Sequence, residues 1–396
     1  MKLLFLTPSP PNELGRVRSL NILKALKSLN IEVTLVTLYN KKQEKYLNEA
    51  KPYVKEIKAI KYNRLIALLY AAISLFLPIP IRAGYCFNFN LRKYLKNNSD
   101  GYDGVYIKRL RMAQYRKYFK CKVYIDLTDS LTKYFERLYK NDKTIKKVFY
   151  FEEYLKHKSY EVKMCKENKN MIICSEDDKN YLVRLCENIK NNISVIKNVV
   201  DIENKVQKID VKPIGNRTQL VFLGIMDYEP NILAVNYIIK HIMPNLSDDY
   251  TLTIIGPKVP DSLKKYENKR IKFLGYIEDV ESELSKYDIF ICPIIAGSGT
   301  KNKIIQAGIA GLPIVSNRLG IEGLGEKYKE VIYLAENSDD FVKKIREINS
   351  IPKKEIVQRL EKQVNIIKEN NSLERLKNEL ADIIVQLVSR SIGKFS

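Results

Sequence analysis

The segment FICPIIAGSGTKNKIIQAGIAGLPIVSNRLGIEGLG, residues 290–325, gathers the residue types most suited to chemistry. Phe290-Ile291-Cys292 reads as the end of a buried strand. Gly297-Ser298-Gly299-Thr300 follows as a loop, and a helix is expected from about Lys301 to Ala310. Glycines let backbone N–H groups approach an anion, and a helix N-terminus adds partial positive charge, so this order suits a phosphate group. Lys303 brings a full charge to the same place. The plainer alternative is a tight turn whose glycines serve geometry alone. A Walker A loop is excluded, because the GK[ST] triplet does not occur.

Two further acids, Asp126 and Asp129, stand at the end of the apolar run 123–127. They are the best polar candidates for chemistry in the first half, with helix capping as the equally simple alternative. Metal chemistry of the zinc-ribbon kind is excluded on ligand count. The six cysteines include no C-x-x-C pair, and only His157 and His241 exist. The cysteines lie in apolar or helical stretches, as reduced thiols of a cytosolic protein would. Residues 3–6 form an apolar run too short for a secretion signal and shaped like a first strand.

These residues must be positioned by parallel sheets. Residues 2–7 and 31–38 read as strands around a turn-rich loop and a helix at 18–29. Leu20, Leu23, Leu26 and Leu29 share one face of that helix. Short apolar runs recur at 104–107, 123–127, 171–174 and 193–196. A second series follows at 219–223, 251–255, 271–274, 289–292, 313–316 and 331–334, with polar helical stretches between the strands. Alternation of this kind indicates an α/β protein with covered parallel sheets. With 396 residues, two domains are expected: 1–200 and 201–370, joined through a polar linker at 201–216. A last amphipathic helix within 371–396 is expected to pack back on the first domain, with Ser372 as a plausible cap.

Charge divides the chain. Residues 1–200 carry 39 Lys and Arg against 19 Asp and Glu, whereas the remainder carries 29 against 27. A basic half suits nucleic acid, anionic lipid or phosphorylated substrates. No helix-turn-helix, RNA-recognition or zinc signature supports nucleic acid. The uncharged run 65–81, LIALLYAAISLFLPIPI, is at the lower edge of a spanning length and is interrupted by Pro78 and Pro80. It reads as a membrane-dipping helix flanked by Arg64 and Arg82, or as a core helix.

FLGIMDYEPN, TIIGP, FLGYIEDV, the long 290–317 segment and GIEGL occur in an order and spacing that resemble GT-B glycosyltransferases of family four, the group 1 sugar transferases of the GSGT type. VYIDLTDSLTKYF and IICSEDDKNYL in the first half resemble further segments of that group. The resemblance implies two Rossmann-like doubly wound domains facing a cleft. It implies a retaining, metal-independent, hexosyl-type transferase without a cofactor, whose donor is a nucleotide-diphosphate sugar. The acceptor would be a glycan or polyprenyl-linked chain of a capsule or lipopolysaccharide. The expected location is the cytoplasmic face of an anionic membrane, bound peripherally. A nucleotide-sugar 2-epimerase of the same architecture is the alternative, and a catalytically weak nucleotide-sugar binder another.

Site roles implied by the resemblance fall on definite positions. Gly297, Ser298, Gly299, Thr300 and Lys303 would meet the donor diphosphate. The family's Glu-x7-Glu pair falls on Ser298 and Gln306, so glutamine would serve the ribose. Glu322 would offer a carboxylate, unless it is a solvated loop acid. Gly15 would let the backbone approach the donor, and Arg18 would follow it, unless that arginine is a surface residue. Gly224 and Asn231 stand in place of the family's Gly-Arg…Lys pattern, and Tyr276 would meet the nucleobase. No histidine occupies the usual acceptor-domain position. Arg109 stands near it and joins Asp126 and Asp129 as the catalytic candidates.

Overall fold

The computed structural model describes residues 1–13, 16–200 and 217–392, with side chains of the last helix through Ile384. Gly15 and the expected linker at 201–216 lie outside the described residues. The chain forms two compact units, one of Met1–Val199 with Leu373–Ser396, the other of Val200–Ser372.

The first unit is built on seven parallel strands: β1 (Lys2–Thr7), β2 (Glu32–Tyr39), β3 (Glu56–Lys61), β4 (Gly104–Lys108), β5 (Lys122–Thr128), β6 (Met171–Ile173) and β7 (Ile193–Val195). Their order is β3-β2-β1-β4-β5-β6-β7. Strand side chains alternate between faces, and both faces are covered. Leu4 and Leu6 pack with Val36, Ile107 and Ile125 on one side, while Leu3 and Phe5 pack with Ile22, Leu26 and Tyr106 on the other. Burial on both sides is why these strands read as continuous apolar runs. β3 escaped that reading. It is an edge strand, EIKAIK, with charged residues along it and only Ile60 fully buried.

The helix Leu373–Ile392 belongs to this first unit. Leu376, Leu380 and Ile384, one turn apart, join the Leu3, Phe5 and Ile22 cluster. The Tyr124 hydroxyl donates to the Ile383 carbonyl at 2.9 Å.

The run 65–81 is two helices, Arg64–Ser74 and Ile81–Tyr85, joined by turns. The Asn63 side chain accepts from the Leu65 N–H and caps the first helix. Only Ala67, Ala71 and Ser74 of that helix are buried, while Leu69 is 59% and Phe76 is 90% exposed. The core alternative is therefore corrected for the large side chains: small residues face the protein and large apolar ones face outward. No helix among the described residues is long and apolar enough to cross a membrane.

The second unit holds six parallel strands: β8 (Thr218–Leu223), β9 (Tyr250–Ile255), β10 (Ile271–Gly275), β11 (Ile289–Cys292), β12 (Ile314–Ser316) and β13 (Tyr333–Leu334). Their order is β10-β9-β8-β11-β12-β13. In each sheet the order reverses once, between β1 and β4 and between β8 and β11. Connections part there, leaving a crevice at the carboxyl ends where doubly wound sheets take ligands.

Leu380 is fully buried in the cluster that the last helix shares with Leu3, Phe5 and Ile22. Leu380→Ala should cost about 2–5 kcal/mol. Chemical denaturation followed by tyrosine fluorescence should report this as an earlier transition.

Candidate functional site

Three neighbouring strands of the second unit end in the same apolar-apolar-glycine triplet. The glycines are Gly224 after β8, Gly256 after β9 and Gly275 closing β10. They line up across the edge. The Gly224 N–H donates to Ile255 and the Gly256 N–H donates to Gly275. Gly256 sits at φ +146°, and a Cβ there would lie 1.8 Å from the Gly224 carbonyl oxygen. Only glycine fits that approach. Beside this edge the chain leaves β11 into the loop at 293–301. Gly297 and Gly299 take φ +130° and +69°, conformations that side chains resist. Gly297 lies against Pro230 and Tyr228 of the β8 loop, so the two loops meet at the reversal of the sheet.

Two ammonium groups enter this place. Lys303, on helix Asn302–Ile309, donates to Asn231 Oδ1 at 2.5 Å and lies 4.3 Å over the Phe222 ring. Burial, with the charge of Lys301 added, pushes its pKa down to about 8. Lys301 is the second. Its Nζ donates to the Gly299 carbonyl at 2.8 Å and lies 3.6 Å from Glu322. Thr300 Oγ1 donates to the Gly323 carbonyl at 3.3 Å and ties the loop to the turn after β12. A flexible glycine loop is thus held in one shape around two cations.

The structure brings most of the expected donor residues of this unit together, with three changes of role. Asn231 is buried, donates to the Ile225 carbonyl and accepts from Lys303. It positions the lysine instead of facing a ligand. Glu322 is no solvated acid, because its carboxylate lies against Lys301. Gln306 donates its amide to Glu281 Oε1 at 3.3 Å. Glu281, buried on the neighbouring turn of helix, supplies a carboxylate next to the position where the resemblance lacks one. Tyr276 stands 56% exposed just past Gly275. Ser298 lies in the loop between the two left-handed glycines.

In the first unit two expected roles are corrected. Asp126 is fully buried. Its Oδ2 accepts from Arg18 at 3.1 Å, Tyr106 at 2.7 Å and Lys108 at 2.7 Å, and its Oδ1 accepts from Thr128 at 3.1 Å. Burial alone would push its pKa up, but Arg18 and Lys108 hold the carboxylate well below its usual range. With its oxygens taken, Asp126 is an ionic centre of the fold and not a group facing substrate. Arg18 is buried with it and also donates to the Ile196 and Lys197 carbonyls and to Asn198. It braces the sheet and meets no donor.

Asp129 and Arg109 remain accessible, their side chains 24% and 30% exposed and 3.4 Å apart. Cys174 donates its thiol to Asp129 at 3.2 Å. The backbone here is strained, with Arg109 at φ +73° and Thr128 at φ +72° on adjacent strand ends. Such conformations cost energy and persist where surrounding contacts impose them, which is common at functional sites. The serines of the two first-half segments that resemble the family serve structure. Ser130 and Ser175 cap their helices, and a buried Lys133–Asp178 pair at 2.9 Å joins them. Neither histidine stands at a strand edge: His157 is buried against Phe135, and His241 follows helix Glu229–Tyr237.

Sequence reasoning missed Gly256, Lys301 and Glu281. The repeated triplets Phe222-Leu223-Gly224, Ile254-Ile255-Gly256 and Phe273-Leu274-Gly275 carried the signal for the first. Nothing local marks the other two, because their roles come from the loop's fold.

Comparison with known proteins agrees with this geometry. Residues 217–350 match the model of the family "Glycosyl transferases group 1". A Klebsiella pneumoniae protein described as an uncharacterized 44.6 kDa protein in the cps region is 24% identical over 364 residues, covering 85% of this chain and 87% of that protein. Anabaena HepE, solved with UDP-glucose, superposes with TM-score 0.66 at 14% identity, covering 98% of this chain and 100% of that one. A Staphylococcus aureus TarM mutant, solved with fondaparinux, α-GlcNAc-glycerol and UDP, gives TM-score 0.67 at 13% identity, covering 96% and 99%. Two parallel doubly wound sheets of this kind define the GT-B class. Within that class the likeness to the group 1 glycosyltransferases is carried by residues 217–350.

The Gln306–Glu281 contact has a consequence for stability. Gln306→Glu would set two carboxylates against each other. The new acid's folded pKa would rise above its unfolded value of about 4.3, so the folded state would bind more protons. Stability should then fall as pH rises through that window. Thermal denaturation should find the variant about 1–2 kcal/mol weaker than the parent at pH 8, and equal to it near pH 4.

Proposed function

We propose that this protein is a retaining, metal-independent glycosyltransferase that uses a nucleotide-diphosphate sugar, with a uridine nucleotide as the first choice. The observation that carries the reading is the pairing of Lys301 and Lys303 with a left-handed glycine loop at the sheet reversal of the second unit. The bound nucleotides of HepE and TarM support the choice of base. The donor's diphosphate would lie along the loop at 297–301, its charge met by Lys303, backbone N–H groups and the start of helix Asn302–Ile309. Tyr276 and the exposed turn after Gly275 would meet the base, and Gln306 with Glu281 the ribose hydroxyls.

In the reaction, the bond from the anomeric carbon to the diphosphate oxygen breaks and the electron pair leaves with the diphosphate. An acceptor hydroxyl then bonds that carbon on the same face, and its proton passes to the departing phosphate oxygen. Lys303 would neutralise the charge that builds on the leaving group, the part of the barrier that fixed cations lower most. Arg109 and Asp129, on the first unit, would orient the acceptor.

The acceptor we propose is a growing surface glycan, in keeping with the cps-region relative, carried on a lipid at an anionic membrane. The outward apolar face supports membrane docking. Leu65, Leu69 and Phe76 are exposed, as are Ile145, Val148 and Phe151 around helix Lys146–Glu167. Lys156 of that helix donates to the Ser74 and Leu75 carbonyls, so the two apolar stretches are neighbours. Arg64, Lys143, Lys146 and Lys147 are exposed beside them. Basic side chains at an anionic leaflet contribute about 1 kcal/mol each.

Donor binding is tested by calorimetry with UDP. Lys303→Ala should weaken it by about 1.5–3 kcal/mol, the scale of a charge-assisted hydrogen bond. The parent should also lose affinity above pH 8, because Lys303 is then neutral in the free protein and binding must take up a proton. A folded Lys303→Ala protein with the parent's affinity and pH profile would remove the lysine from the site.

Docking is tested by liposome flotation. Binding should require anionic lipid and weaken from 0.1 M to 1 M salt, as the Debye length falls from about 10 to about 3 Å. Leu69→Ser with Phe76→Ser should fold normally, both positions being exposed, and should float less. Undiminished flotation of the folded double variant would end the docking role.

A further inference from the structure

In the second unit the loop at 293–301 and the loop that follows β12 are fastened to each other. Ser316 Oγ donates to the Cys292 carbonyl at 2.8 Å, and Asn317 Nδ2 donates to the Ile294 carbonyl at 2.7 Å. Gly320 sits tightly between them. A Cβ there would stand 2.1 Å from Ser316 Oγ and 2.9 Å from the Cys292 carbonyl oxygen. The far end is closed by Thr300, which donates to the carbonyl of Gly323, itself at φ +84°. Glu322 stands between these fastenings, directly after helix Arg318–Ile321. The fold thus brings an acid to the glycine loop from a strand connection further along the chain.

Lys301 fixes the place of that acid. Its Nζ donates to the Gly299 carbonyl at 2.8 Å and stands 3.6 Å from Glu322 Oε2. The second distance is beyond ordinary hydrogen-bond range, so the ammonium attracts the carboxylate as a charge and directs its bond to the loop. The lysine side chain is 8% exposed and the glutamate side chain 15%. The carboxylate is the more open member of the pair, yet it is poorly hydrated. In such a setting its hydrogen bonds to hydroxyl groups are charge-assisted and strengthened by the low local dielectric.

Covalent geometry says which hydroxyls these are. In a nucleotide-diphosphate sugar the sugar is attached to the outer phosphate. A diphosphate lying along 297–301 puts the sugar beside that loop, where Glu322 is held. Ser298, in the loop itself, brings only a short hydroxyl. We propose that Glu322 recognises the donor's sugar by accepting from its ring hydroxyls, and that the sugar is a neutral hexose. A uronic acid would set a second carboxylate against Glu322, and like charges repel strongly where water is thin. This assignment rests on the nucleotide-sugar reading and adds to it the group that reads the sugar and the charge class of that sugar.

The test is calorimetry on the full chain with UDP, with UDP-glucuronic acid, and with the tighter of UDP-glucose and UDP-N-acetylglucosamine as the neutral donor. The proteins are the parent, Glu322→Gln and Glu322→Asp. The parent should bind the neutral donor at least about tenfold more tightly than the glucuronate, the scale of one charge-assisted contact. Glu322→Gln should weaken the neutral donor by about the same factor, leave UDP unchanged and shrink the preference over glucuronate. Glu322→Asp, which keeps the charge on a shorter arm, should bind the neutral donor less well but keep that preference. A carboxylate that only braced the loop would weaken UDP and the neutral donor together and leave the preference where it was, and that result would overturn the assignment. Parent-like affinity for the neutral donor in Glu322→Gln would overturn it, as would a parent that binds glucuronate as tightly as the neutral donor. If UDP itself fails to bind the parent, the nucleotide reading fails and the sugar site falls with it.

Discussion

A parallel sheet whose strand order reverses must part its connections at one place, and that gap has to be held open against collapse. In each unit a buried polar bracket does this. In the first, the Asp126 carboxylate gathers Arg18 from the opening helix and Lys108 and Tyr106 from β4. In the second, Asn231 links the Ile225 carbonyl after β8 to Lys303 beyond β11. The first bracket ties β4 and β5 to the helix that follows β1, and the second ties together the segments that follow β8 and β11. An unpaired charge in such a position would be costly, and breaking one partner of a buried pair is worse than never having it. The glycine edges and the exposed Arg109–Asp129 pair keep their places because these brackets fix the strands beneath them.

Much of this was legible in the sequence, for a physical reason. Strands buried on two faces must be apolar throughout, so β1, β8 and β11 declare themselves at Lys2–Thr7, Thr218–Leu223 and Ile289–Cys292. Glycines needed for left-handed backbone, Gly297 and Gly299, announce the loop. What stayed hidden depends on contacts distant in sequence. Asp126 at a strand end looks the same whether it faces water or accepts from four buried donors. The membership of helix Leu373–Ile392 in the first unit rests on its packing against helix Val17–Ser28, across nearly the whole chain. β3 lay hidden because an edge strand interrupted by Glu56, Lys58 and Lys61 carries little apolar signal.

The +20 charge of the first half also resolves into parts with different physics. Some of it is internal. Arg18 and Lys108 are buried against Asp126, and Lys133 against Asp178. Some is surface charge near an apolar face, where Arg64, Lys143, Lys146 and Lys147 stand beside Leu69 and Val148. Those lysines gain little from isolated surface pairs, but a charged plane of lipid would engage them together. The net figure alone could not separate these roles, since it counts a buried ion pair and a free arginine by the same rule.

Charge is handled differently at the loop of the second unit. Around Asp126 one carboxylate serves two cations and two hydroxyls, and the result is rigidity. Lys303 makes no ion pair among the described residues. It donates to the Asn231 amide, and its pKa near 8 reflects a cation kept in a poorly solvated place beside Lys301. A cation held this way is costly in the free protein, and a ligand that relieves the cost gains affinity from the relief. The buried carboxylate of the first unit builds the fold, whereas the lysine of the second is held ready for an anion.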